Sequence, residues 1–126
     1  MTKYLTVILT ILIPCLLHAQ NLVPNGGFEQ YSGCPNAENE IDSAKYWINP
    51  ASGLNGGTPD YYNSCATSPN EPVPNNAFGY QPAHGGNAYC GIFLFQTPYP
   101  DIREYIETNL TSPLIAGKKY LLRKKG

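Results

Sequence analysis

Two short stretches hold the residues best suited to chemistry, Asp60-Tyr61-Tyr62-Asn63 and Gly79-Tyr80-Gln81. Aromatic rings beside carboxylates and amides are what a sugar-binding surface requires. The C–H face of a pyranose meets the negative π-face of a ring, and its hydroxyls bond to Asp, Asn or Gln. On this ground Tyr61, Tyr62, Tyr80, Asp60, Gln81 and Arg103 are the candidate ligand-binding residues, with Tyr99, Tyr105, Asn63 and Asn87 as further ingredients. The competing assignment is that aromatic residues inside strands simply pack a core. It applies best to Phe28, Trp47, Tyr89, Phe93 and Phe95, whereas Tyr61, Tyr62 and Tyr80 border loops.

Catalytic constellations are harder to assemble. After the first nineteen residues His84 is the one histidine, so a His-based zinc cluster cannot form. No Gly-x-Ser-x-Gly elbow presents a nucleophile. Asp60, Asp101, Glu104 and Glu107 could supply carboxylate pairs. Any acidic chain offers such pairs, and nothing in their spacing sets the separation of roughly 5–10 Å that glycoside hydrolysis uses. His84, next to Gly85-Gly86, reads as a residue that orients its loop through a backbone hydrogen bond. The expectation is a non-catalytic protein.

These side chains must be positioned by short elements. Twelve prolines and twelve glycines in 126 residues break helices, and no stretch keeps a 3.6-residue apolar period for three turns. The apolar runs are short, aromatic or β-branched, and separated by turn clusters, which predicts an all-β sandwich or barrel. The predicted strands are 22–23, 27–31, 44–48, 60–63, 88–95, 102–110 and 119–122. Residues 49–59 and 66–77 are predicted long loops, because prolines and glycines interrupt both.

The N-terminus has a separate logic. Lys3 precedes an apolar run that ends at Leu17-His18-Ala19, so residues 1–19 are predicted to be a cleaved signal peptide and 20–126 the folded domain. The run is shorter than the ~20 residues that span a bilayer. Pro14 makes Cys15 a poor lipobox cysteine. Export implies an oxidising compartment, where Cys34, Cys65 and Cys90 allow one bridge. Cys34 and Cys65 lie in loop-like surroundings and are predicted to pair. Cys90 lies in an apolar run and is predicted to stay outside the bridge as a small hydrophobe. Basic residues cluster at the C-terminal end (Lys118, Lys119, Arg123, Lys124, Lys125), leaving an acidic body that does not suit nucleic acid.

Four features follow in order: Asn21-Leu22-Val23-Pro24-Asn25-Gly26-Gly27-Phe28-Glu29, Trp47, His84-Gly85-Gly86-Asn87-Ala88-Tyr89-Cys90-Gly91-Ile92, and Leu114-Ile115-Ala116-Gly117-Lys118-Lys119-Tyr120. In that order they resemble carbohydrate-binding-module-like domains with the galactose-binding jelly-roll fold. More narrowly, the run from Asn21 to Tyr120 is similar to a group of bacterial cell-surface proteins. The resemblance implies a jelly-roll β-sandwich and a glycan as ligand. In such domains a calcium ion near the position of Glu29 staples the first strand to the last, but the closing aspartate has no counterpart here, so Glu29 reads as a solvated or turn-capping residue with calcium as the alternative. The resemblance also implies further strands after Tyr120, so the chain reads as the N-terminal portion of a longer domain. A structural or adhesive surface domain without a small ligand is the alternative, and a truncated fragment without function a third reading.

Overall fold

A computed structural model describes residues 21–52, 57–95, 97–98 and 101–123. The predicted signal segment 1–19, residues 53–56 of the first long loop and Tyr99 lie outside that set. Among the described residues the fold is all-β, with small antiparallel sheets and no α-helix. One 3-10 turn, Ile41–Ser43, lies against the central strand and buries Ile41 completely.

That central strand is β1, Asp60–Asn63. The hairpin strands β2 (Asn75–Asn76) and β3 (Gly79–Tyr80) follow, and then β4 (Ala88–Gly91). β1 pairs antiparallel with β4, placing Asp60 opposite Gly91 and Tyr62 opposite Tyr89. Consecutive side chains of a strand point to opposite faces. On one face of β1, the Asn63 Nδ2 donates to the Tyr61 hydroxyl at 2.7 Å, and Tyr61 donates to the Phe28 carbonyl at 2.8 Å. On the other, Tyr62 donates to Asp60 Oδ2 at 3.2 Å. All four β1 residues are buried, so structure covers both faces.

The Tyr61 face is the core side. Tyr61, Ala44 and Ala88 are buried together, with Phe28 and Trp47 packed against them. The Phe28 and Trp47 rings stack at 4.8 Å between centroids, and Trp47 Nε1 donates to the Asn25 carbonyl at 3.0 Å. Asn25 itself is a hub. Its Nδ2 donates to the carbonyls of Gln30 and Lys45, and its Oδ1 accepts from the Gln30 N–H.

Several predicted strands shrink. Residues 22–23 form no strand. The opening is a turn closed by a Phe28 N–H to Asn25 carbonyl bond, with Asn25 and Phe28 both at positive φ. Predicted strands 27–31 and 44–48 meet only at the bridge Tyr31–Ala44, and 102–110 reduces to the bridge Ile48–Glu107. Tyr46 at φ 75° turns the chain out of the extended region, which stops the ladder from propagating. Residues 119–122 form no strand, and the Tyr120 hydroxyl accepts instead from the Ile115 N–H at 2.8 Å. β4 ends at Gly91 rather than at 95.

The cysteines pair as predicted, Cys34 with Cys65, and Cys90 lies half-buried on β4 outside that bridge. Among the described residues no helix is long and apolar enough to cross a membrane.

Glu29 ties the opening to the start of β4. Its carboxylate accepts the N–H groups of Asn87 and Ala88 at 2.9–3.1 Å. Gly86 makes this contact possible, because it adopts φ +82° and a Cβ there would lie 2.2 Å from Glu29 Oε1. Gly86→Ala is therefore expected to destabilise the fold by at least about 2 kcal/mol. Gly85→Ala, which meets nothing within 4 Å, should cost under about 0.5 kcal/mol. Urea denaturation of both variants checks the contrast.

Candidate ligand-binding cleft

The Asp60 and Tyr62 face of β1 opens into a cleft of about 320 Å³. Its floor is made by the cross-strand pair Tyr62 and Tyr89, whose rings stack at 5.0 Å. Gly91 lets the Tyr62 ring lie close against β4, since a Cβ at that position would sit 2.7 Å from Tyr62 Cε2. One wall is the β2–β3 hairpin, which contributes Asn76, Phe78, Tyr80 and Gln81. Phe93 faces it, edge-on to Phe78 at 5.5 Å and 73°.

The hairpin explains how Phe78 and Tyr80 reach this position. Asn76 pairs with Gly79 across a two-residue loop, and Asn76 Oδ1 accepts the Phe78 N–H at 2.9 Å. Gly79 at φ +118° takes the backbone angle that the turn demands and a side chain resists. The Asn76 amide donates to the Tyr89 hydroxyl, fastening the hairpin to the floor. Phe78 is 67% exposed and Tyr80 72%, so both rings are open to a ligand.

The polar groups are two buried carboxylates and two amides. Asp60 Oδ1 accepts the Asn39 N–H at 2.8 Å, and Oδ2 accepts the Tyr62 hydroxyl. Burial pushes the Asp60 carboxyl above the usual range, those two hydrogen bonds pull it back in part, and the charges of Glu104 and Glu38 add to the rise. Burial, followed by the Asp60 charge, pushes the Tyr62 hydroxyl far upward, so it remains a donor. Tyr61 and Tyr89 are raised by burial as well. Glu104 is the second carboxylate. Its Oε1 accepts the Thr58 N–H and hydroxyl at 2.8 and 3.0 Å, and its Oε2 accepts the Phe93 N–H at 2.8 Å.

A raised carboxyl in the folded state has a definite sign for stability. The fold binds that proton more tightly than the unfolded chain does. Asp60 therefore costs nothing below the ordinary pKa of 3.8, and costs increasingly as pH rises through its folded value. Asp60→Asn does not titrate. Its stability relative to wild type should improve as pH is raised from below 3.8 towards neutrality, as measured by parallel urea melts across that range.

Of the six residues predicted to bind ligand, the cleft collects Asp60, Tyr62, Tyr80 and Gln81. Tyr61 is fully buried on the opposite face, with its hydroxyl engaged by Phe28 and Asn63, because neighbours on a strand alternate. Arg103 is exposed and does not line the cleft, although the next residue, Glu104, does. His84 is also exposed and lies outside it. Sequence reasoning assigned Tyr89 and Phe93 to the core and Glu104 to a loose set of four carboxylates, and it passed over Asn76 and Phe78. Asn75-Asn76 before Gly79 was the usable signal, since Asn and Gly between extended residues mark a tight hairpin. The nearby prolines at 72 and 74 made the stretch read as loop.

Glu29 does not fit a calcium site. Both of its oxygens face backbone N–H donors, which repel a cation where calcium requires six to eight oxygens. Among the described residues no group of three or more His, Cys, Asp or Glu could hold a metal ion. The chain matches no family of known proteins, no curated protein and no solved structure.

Proposed function

We propose that this protein is an exported, non-catalytic carbohydrate-binding module on a jelly-roll-type sandwich. The observation that carries the reading is the cleft. Exposed Phe78 and Tyr80 rings offer stacking platforms in the same cleft as the buried acceptor Asp60 and the amides of Asn76 and Gln81. Apolar platforms with a few convergent polar groups are what a sugar ring with equatorial hydroxyls requires. Glu104 supports a binding role over a catalytic one, because both of its oxygens are held by structural donors and neither is poised to move a proton. Export is supported by the signal-like residues 1–19 and by the Cys34–Cys65 bridge, a bond that persists in oxidising compartments.

Affinity electrophoresis through gels containing soluble polysaccharides tests this. Phe78→Ala and Tyr80→Ala are each expected to weaken retention about tenfold. Both side chains are largely exposed, so stability should stay within about 0.5 kcal/mol of wild type. Arg103→Ala should leave retention unchanged. Retention that survives both aromatic replacements would remove the cleft from consideration. A chain retained by no polysaccharide would be read instead as an adhesive or structural surface domain.

A further inference from the structure

We infer that the cleft selects glycans carrying ammonium groups, that is, unacetylated amino sugars, over neutral or anionic ones; this rests on the carbohydrate-binding reading above. Among the described residues that line the cleft are two carboxylates, Asp60 and Glu104, and no Lys, Arg or His. Their roles differ. Glu104 holds three structural donors, two on Oε1 from Thr58 and a short 2.8 Å bond on Oε2 from the Phe93 N–H, so its main contribution is field. Asp60 Oδ2 carries one long hydrogen bond, 3.2 Å from the Tyr62 hydroxyl, and a carboxylate oxygen has capacity for a second donor.

The rings add to the same field. The faces of the exposed Phe78 and Tyr80 rings are electron-rich and attract a cation held above them. Glu38 and Glu71 act electrostatically on the Asp60–Tyr62 pair from outside the cleft, with the same sign. A uronic acid would thus meet like charge on entry. A neutral hexose would gain stacking and hydroxyl bonds alone. An ammonium group would gain those together with an ion pair in a partly desolvated site, where such pairs are strongest. It would also compensate the buried charge of Asp60, which the protein itself leaves only partly offset.

Calorimetric titration of the full chain, in slightly acidic buffer that keeps amines charged, decides the matter. The ligands are tetraglucosamine, its fully N-acetylated counterpart, tetragalacturonate and choline. Tetraglucosamine is expected to bind about tenfold more tightly than the N-acetylated form, with added salt weakening only the charged ligand. Asp60→Asn should erase the preference, the affinity for tetraglucosamine falling to that for its N-acetylated counterpart. Equal affinity for the two tetramers, tighter binding of tetragalacturonate, or a folded Asp60→Asn that keeps the preference would overturn the selectivity and leave glycan binding standing. Choline bound with no glycan, or no ligand bound at all, would overturn both. The wild-type series is decisive even if Asp60→Asn fails to fold.

Discussion

Glu104→Ala is expected to destabilise the protein by about 3–5 kcal/mol, the cost of stripping a buried carboxylate from donors that depend on it. Glu104 is 4% exposed and accepts three hydrogen bonds, two from Thr58 and one from Phe93. Alanine leaves those donors without an acceptor. The surrounding chain is shaped around the side chain. Gly57 sits at φ +102°, and a Cβ there would fall 2.4 Å from Glu104 Cγ. The Glu104 N–H also donates to the Phe93 carbonyl, so one residue joins the segment after β4 to the loop before β1. Glu104→Gln keeps the shape but turns an amide N–H₂ towards a donor, so a smaller loss of about 2 kcal/mol is expected. Urea melts give the magnitudes. Hydrogen exchange gives the mechanism, because the Thr58 and Phe93 amides should lose protection first. A fully stable alanine variant with those amides still protected would refute this role.

Loss of the disulfide comes next in size. Cys34 and Cys65 are 31 residues apart, and in the chain-entropy description closing a loop of that length stabilises the fold by about 4 kcal/mol. The effect is large relative to what else is available. The buried hydrophobic residues among those described are Ile41, Ala44, Tyr61, Tyr62 and Ala88, a small core for a chain of this size. The bridge also anchors a loop-rich region. Pro35 beside it is fully buried, and its carbonyl accepts the Thr67 N–H at 2.9 Å. Cys34→Ser with Cys65→Ser should lower the melting temperature by roughly 15–30 °C. Reductant should lower it similarly in wild type and have no effect on the double variant. A shift of only a few degrees would show that the core suffices without the bridge.

The elements that were legible are those whose information is local. The Asp60-Tyr61-Tyr62-Asn63 strand, the start of β4 at Ala88 and the Cys34–Cys65 pairing were each predicted where the structure places them. Aromatic residues between turn residues favour an extended backbone whatever their partner, and loop cysteines in an oxidising context favour each other. The errors have a common cause. Strands at 27–31 and 44–48 needed a ladder, and it is interrupted by the positive-φ residues Phe28 and Tyr46, which carry no glycine signature; 102–110 is left with the single bridge to Ile48.

For the site, the sequence alone determined the composition: tyrosines beside a carboxylate and amides, in a chain of twelve prolines and twelve glycines that cannot make long helices. It could not determine which tyrosine faces which way. Tyr61 and Tyr62 are adjacent and identical in type, yet one completes the core and the other floors the cleft, because the β1–β4 register sets Tyr62 against Tyr89. Slipping that register by one residue would exchange them. Phe78, Phe93 and Glu104 could not be assigned to one site for a related reason. They come from a hairpin, a strand exit and a distant loop, and only tertiary contacts, the Asn76–Tyr89 bond and the Glu104–Phe93 bond among them, bring the three to one opening.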